Sequence, residues 1–264
     1  MTHPSFFLSF AFATIVSVSA AVGAQNVPLN AQSSWSSGVY WNTEDPVTLY
    51  NRQDFDPDDT LTEFTGDGRA VISEGVLTLE GDAPRYRVLE PMFTNVSVSF
   101  DAMRVSEERF LPYAGFVVGV RSQHYGDSTC GANTYYASLT YNGNVGFEKE
   151  LFHGEGNNAF YPGFNGRSEN VFDNGVPFDQ WINLNFTVVT DEDDNAVLTL
   201  AVDGEEVLDF TDDGSWSVDS EGANENCEGY YPENKIIQSP GFVFIRNDGL
   251  GEARYKNLEI VEVS

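Results

Sequence analysis

Arg121, His124, Lys149, His153 and Tyr161 fall in the middle of the chain and are the residue types best suited to chemistry. The protein has only three lysines and three histidines, and Lys149 stands between two glutamates in a strand-like run. A set of this composition could carry out β-elimination on a uronate. Arg121 or Lys149 would neutralise the substrate carboxylate and so acidify the adjacent C–H bond. His153 or His124 would take that proton near neutral pH. Tyr161 or Tyr136 would protonate the departing oxygen. The competing reading is structural, with Lys149–Glu150 as an ion pair and His153 capping a loop.

Other constellations are less specific. Glu148 and Glu150 lie two apart on one strand face, roughly 7 Å from each other by strand geometry. That spacing falls between those of retaining and inverting glycosidases, but in so acidic a chain a solvated face explains the pair better. Asp54–Asp59 and Asp191–Asn195 offer hard oxygens for a structural Ca²⁺ without matching the EF-hand spacing. No cofactor is required by any of these groups, and no metal ligand set can be placed. Aromatic residues crowd loops and strand ends, where flat rings stack on sugars. Tyr125, Tyr136 and Tyr230, with Glu150 and Arg246, form the expected substrate-contact set.

Composition bounds the partners. There are 41 Asp and Glu against 13 Lys and Arg, for a net charge of −28. Such a surface repels nucleic-acid phosphates and anionic lipid, and a polyanionic substrate would need a locally basic cleft. Phe6–Val22 is uncharged and ends in Val22-Gly23-Ala24, so residues 1–24 read as a cleaved secretory signal. No other stretch approaches the ~20 apolar residues of a membrane span. The remaining residues, 25–264, suit one domain, monomeric and extracellular, with residues 25–69 packing onto it through their aromatics. Cys130 and Cys227 read as a disulfide in an oxidising compartment, with two free thiols as the competing state. The bridge would close a loop of about 100 residues, worth ~4–5 kcal/mol in the chain-entropy account. Asn95 and Asn185 open N-glycosylation triplets.

The elements that must position these side chains are strands. Val96–Met103 alternates apolar and polar residues, as does Trp181–Val189. Tyr135–Tyr141 and Val145–Leu151 flank Asn142-Gly143-Asn144, a strong hairpin signal. In Val145–Leu151 the alternation groups Val145, Phe147, Lys149 and Leu151 on one face and Gly146, Glu148 and Glu150 on the other. Lys149 then either points coreward beside an acid or lines a rim. Phe116–Arg121, Val197–Val202, Glu206–Phe210, Phe242–Arg246 and Arg254–Val263 complete the expected strands, and Val71–Leu79 is broken by a turn at Glu74-Gly75. His124–Thr134 and Phe152–Asp179 read as long loops. No helical stripe and no repeat interrupts this pattern, which predicts an all-β, two-sheet antiparallel β-sandwich.

The C-terminal run Gly241-Phe-Val-Phe-Ile-Arg246-Asn-Asp248, followed by Arg254-Tyr-Lys-Asn-Leu-Glu-Ile260, resembles the last two strands of concanavalin A-like lectin/glucanase domains. Trp181-Ile-Asn-Leu-Asn-Phe186, leading to Leu198–Asp203-Gly204, resembles their paired back-sheet strands. The segment from Arg121-Ser-Gln-His124 through Cys130 and Tyr135-Tyr136 to Lys149-Glu150-Leu151-Phe152-His153 is similar to secreted relatives of polysaccharide lyases and carbohydrate-binding proteins. The resemblance spans residues 70–264. It implies a jelly roll and a polysaccharide partner. The Glu-x-Asp-x-(x)-Glu run of the glucanases is absent, as is the Gln-x-His and Lys-x-Gly-x-Tyr-x-Gln pair of common jelly-roll alginate lyases. The first functional expectation is therefore a polysaccharide lyase acting on an acidic glycan, with its residues assigned by type and placement. A non-catalytic, lectin-like binder is the alternative, and a structural matrix protein is a third.

Overall fold

The computed structural model of the chain describes residues 47–52, 62–65, 68–124, 132–151, 158–161, 169–216 and 235–263. The signal segment, Tyr125, Cys130, His153, Cys227, Tyr230 and the acidic run Asp54–Asp59 lie outside the described residues.

Short extended runs alternate with tight turns, and the described residues form sixteen strands. The first nine are β1 (Val47–Arg52), β2 (Thr62–Thr65), β3 (Gly68–Ser73), β4 (Val76–Gly81), β5 (Arg85–Phe93), β6 (Val96–Arg104), β7 (Gly115–His124), β8 (Ala132–Thr140) and β9 (Asn144–Glu150). β10 (Asn158–Tyr161), β11 (Glu169–Asn170), β12 (Trp181–Thr190), β13 (Ala196–Val202), β14 (Glu205–Asp212), β15 (Gly241–Asp248) and β16 (Glu252–Glu262) complete them. All strand pairs are antiparallel.

One sheet runs β14-β13-β12-β6-β16-β4-β3, with β1 also paired to β16, and the other runs β10-β9-β8-β7-β15-β5-β2, with β11 also paired to β9. The last two strands are each inserted between early ones: β15 between β7 and β5, and β16 between β6 and β4. This nesting of terminal strands in both sheets makes the fold a jelly-roll sandwich. β1 and β2, both within residues 25–69, join the two sheets at β16 and β5.

Alternation decides which side chains face inward. In β12 and β13 every second residue is buried, and Leu184, Phe186, Val188, Leu198 and Leu200 enter the core with Phe100, Phe147 and Tyr255. Two expected loops are partly strand. β7 continues to His124 and β8 begins at Ala132, while β10 and β11 occupy part of 152–179. The missed signal is the same in both cases, because polar and glycine-rich strand ends lack the alternation that marks a half-buried strand. β5 was hidden by its two arginines and by Pro91, a residue that argues against a strand interior.

Candidate functional site: the outer face of the β9-β8-β7-β15-β5 sheet

Strand alternation divides the candidate residues between the two faces of this sheet. Arg121, Lys149 and Tyr161 belong to the inner side, whereas Tyr136, Glu150 and Arg246 belong to the outer one.

Lys149 continues the inward series of Val145 and Phe147, and it meets Asp212 at the end of β14 in the opposite sheet. Its Nζ donates to Asp212 Oδ1 (2.9 Å) and Oδ2 (2.8 Å) and to the Lys235 carbonyl (3.1 Å). Both side chains of this ion pair are 0% exposed. Tyr135 Oη donates to Asp212 Oδ2 (2.6 Å) and accepts from Ile237 N (3.0 Å). Burial lowers the Lys149 pKa, opposed by the Asp212 carboxylate, and burial next to Asp212 raises that of Tyr135. The lysine thus takes the coreward, acid-paired position, with Asp212 rather than Glu150 as its partner.

Arg121 is also fully buried. It sits at a bulge between Val120 and Gln123 with φ 49°, and this turns it inward beside Val120. Its guanidinium donates to the carbonyls of Thr94 (2.5 Å) and Ile237 (2.7 Å), to Thr190 Oγ1 (2.9 Å) and to Asn95 Oδ1 (3.4 Å). Burial lowers its pKa to about 10, so it remains a cation at neutral pH. Tyr161, on β10 opposite Phe147, packs on the core, its ring 4.2 Å from that of Phe210. The inner polar groups therefore tie β9, β7, β14 and the 235–237 segment together. The backbone of His124 ends β7.

The outer face gathers a different set. Hydrogen-bond register aligns Arg87, Phe244, Gly119, Tyr136 and Glu148 in one row across five strands. The adjacent row is Arg85, Arg246, Val117, Ser138 and Gly146. Phe242, Phe244, Val117 and Tyr136 form an apolar cluster separate from the main core. The Arg85 and Arg87 guanidiniums lie 5.4 and 5.6 Å from the Phe244 and Phe242 ring centroids, within cation–π range. Arg246 Nη2 is ion-paired with Asp248, and its buried Nε has no hydrogen-bond partner among the described residues. Tyr136 Oη donates to Glu150 Oε2.

Electrostatics here follow from burial and like charge. Burial lowers the Arg85 pKa, Tyr136 counteracts that shift, and Arg246 and Arg87 add to it. Burial pushes the Tyr136 hydroxyl well up, with Glu150 adding to the effect. Tyr136 is therefore held protonated, able to donate and unsuited to act as a base. Gly119 makes room for the Phe244 ring, since a Cβ there would collide with it. We expect Gly119→Ala to cost about 1–3 kcal/mol by overpacking. An unchanged denaturation midpoint would show that the ring yields freely.

Arg85, Arg87, Phe242 and Phe244 were not among the expected site residues. The Arg-Tyr-Arg-Val alternation at 85–88 is the signal that could have found them. Among the described residues no group of three or more His, Cys, Asp or Glu could hold a metal ion. In the acidic turn 191–195, Asp191 Oδ1 already accepts from Asp193 N (3.0 Å) and Asn195 N (2.8 Å), and Oδ2 accepts from Asn195 Nδ2 (3.0 Å). These bonds, the Asn195 side chain first, lower the Asp191 pKa. Asn95 Oδ1 accepts from Thr190 N (2.9 Å) as well as from Arg121. Asn185 Nδ2 donates to Ser97 Oγ (3.0 Å), a bond that a glycan at that nitrogen would have to displace.

No protein-family model matches the chain, and no curated protein sequence matches it. In structure it is similar to a carbohydrate-binding module from Bacillus subtilis, at 12% identity over 77% of this chain and 98% of that one, TM-score 0.49. It is also similar to a β-glucanase from Bacillus licheniformis (11% identity, 81% and 98%, TM-score 0.46) and to an alginate lyase (14%, 83% and 96%, TM-score 0.41). The chemistry is therefore argued from this chain's own side chains.

Proposed function

We propose that the protein binds an acidic polysaccharide on the outer face of the β9-β8-β7-β15-β5 sheet. The observation that carries this reading is the meeting of Arg85, Arg87 and Arg246 on one face of a chain whose net charge is −28. Guanidinium groups match carboxylates in a planar, two-pronged geometry, and the Phe242 and Phe244 rings hold two of them in place. Tyr136, in the same row as Arg87 and Phe244, is buried with its hydroxyl donating to Glu150 and closes the β9 side of this face.

The test is calorimetric titration with oligogalacturonate and oligomannuronate. Arg246→Ala and Arg87→Ala should each weaken binding about 10–100-fold, the range for loss of one or two charge-assisted contacts. Added salt should weaken it further. Affinity unchanged in both variants would sink the proposal.

A second reading, elimination, rests on the Tyr136–Glu150 pair. An arginine of this face would neutralise the uronate carboxylate, Tyr136 would protonate the leaving oxygen, and His153 would be the candidate base. In this reading Arg121 and Lys149, enclosed between the sheets, hold the fold rather than the substrate. Ultraviolet absorbance of unsaturated uronate, rising with the native protein and lost in Tyr136→Phe, is the expected result. A flat trace on polyuronates would leave binding alone. The same reading includes secretion after removal of residues 1–24 and a Cys130–Cys227 disulfide, both accessible to mass spectrometry of the secreted protein.

A further inference from the structure

One end of the sandwich carries an arginine and aromatic cluster that shares no residue with the sheet face. Three of the four large hydrophobic side chains exposed among the described residues are here, Phe110 at 48%, Tyr113 at 44% and Phe178 at 38%. They belong to the 105–114 and 171–180 turns, which meet around Tyr141. Tyr141 N donates to the Ala114 carbonyl (2.7 Å), and Phe178 bridges to Arg104 at the end of β6. Arg109 bridges to Leu250, and Phe110 N donates to the Gly249 carbonyl (2.8 Å), which pins the first turn to the end of β15.

Two guanidiniums converge on the Tyr141 ring, Arg104 at 5.6 Å and Arg109 at 4.1 Å from its centroid. Arg104 is buried and committed: it lies 3.9 Å from the Phe178 ring centroid and donates to the Ser106 (3.3 Å) and Val176 (3.4 Å) carbonyls. Arg109 is exposed, and no hydrogen bond or ion pair to another described residue occupies its guanidinium. Stacking uses the face of that group and leaves its N–H edges available. Glu107, Glu108, Asp173 and Asp179 are the acids of these two turns, and none of them forms an ion pair with Arg109 among the described residues. An exposed guanidinium stacked on Tyr141, unpaired among the described residues and set beside the exposed Phe110 and Phe178 rings, is an arrangement that suits an anionic ligand with an apolar face.

The geometry points to a second glycan-binding site at this end of the sandwich, where Arg109 takes the carboxylate of an acidic sugar and the Phe178 and Phe110 rings take its apolar face. It is independent of the sheet-face site, and the two can be separated by substitution. Arg109→Ala/Phe178→Ala removes two ring–guanidinium contacts but no described hydrogen bond of the buried Arg104 side chain, so its unfolding should stay cooperative with a midpoint only a few degrees below that of the native protein. Calorimetry with a galacturonate trisaccharide should show two molecules bound per native chain. The count should fall to one in Arg109→Ala/Phe178→Ala, and to one again in Arg87→Ala/Arg246→Ala. If only one trisaccharide binds and the Arg109→Ala/Phe178→Ala variant abolishes it, this site stands and the sheet-face reading falls. A count that this variant leaves unaltered, or no binding at all, overturns the proposal. So does a variant that changes self-association while leaving trisaccharide binding intact, which would mark the surface as a protein contact.

Discussion

Lys149→Met should lower the free energy of unfolding by about 3–5 kcal/mol, the range for removing one partner of a buried ion pair. The Asp212 carboxylate would remain fully enclosed, keeping the Tyr135 hydroxyl (2.6 Å) and Gly214 N (3.1 Å) as donors but losing its counter-charge. The cost comes from the stranded carboxylate, so removing that charge as well should recover most of it. Asp212→Asn in the Lys149→Met background keeps an acceptor for Tyr135 and leaves no buried ion. Equilibrium unfolding in guanidinium chloride measures all three proteins. A loss below about 1 kcal/mol in the single variant, or no recovery in the double one, would mean that the pair is not the tie between β9 and β14 described above.

The second large effect concerns Arg121. Arg121→Met should cost about 3–5 kcal/mol, since it leaves the Thr94 and Ile237 carbonyls and Thr190 Oγ1 without their donor inside the sandwich. Arg121→Lys should recover less than half of that. An ammonium retains the charge but is a single point, whereas the guanidinium fork reaches acceptors on three separate segments at once. Unfolding measurements on the two variants decide it, and equal stability of Arg121→Lys and the native protein would show that charge alone matters. Neither substitution touches the outer face, so any glycan affinity should persist in whatever fraction remains folded.

These two residues also show how far the sequence could be read. The alternation of Val145–Leu151 grouped Lys149 with Val145, Phe147 and Leu151 and left it either coreward beside an acid or at a rim, and the structure takes the first. Which acid was not legible, because Asp212 lies 63 positions away in the opposite sheet. Arg121 looked like a catalytic cation because nothing local reveals a bulge that swings one extra residue inward. Tyr136 and Glu150 were expected to touch substrate and do share the outer face, since both follow from a period of two. Arg85 and Arg87 escaped notice because charged residues in a strand beside a proline read as a connection.

The sequence by itself determined the clearly alternating strands (though not β5, β10 or β11), the hairpin at Asn142–Asn144, the all-β sandwich and the strongly acidic character of the chain. Each rests on local terms: alternation, turn chemistry and a sum of charges. Only the tertiary structure decided which cations are ties enclosed between the sheets and which lie half-buried on the outer sheet face. That distinction depends on the insertion of β15 between β7 and β5, which carries Arg246 to Arg85 and aligns residues from five strands in one row. Contacts of that range are set by sheet register and by the closure of the core, and no window of neighbouring residues encodes them.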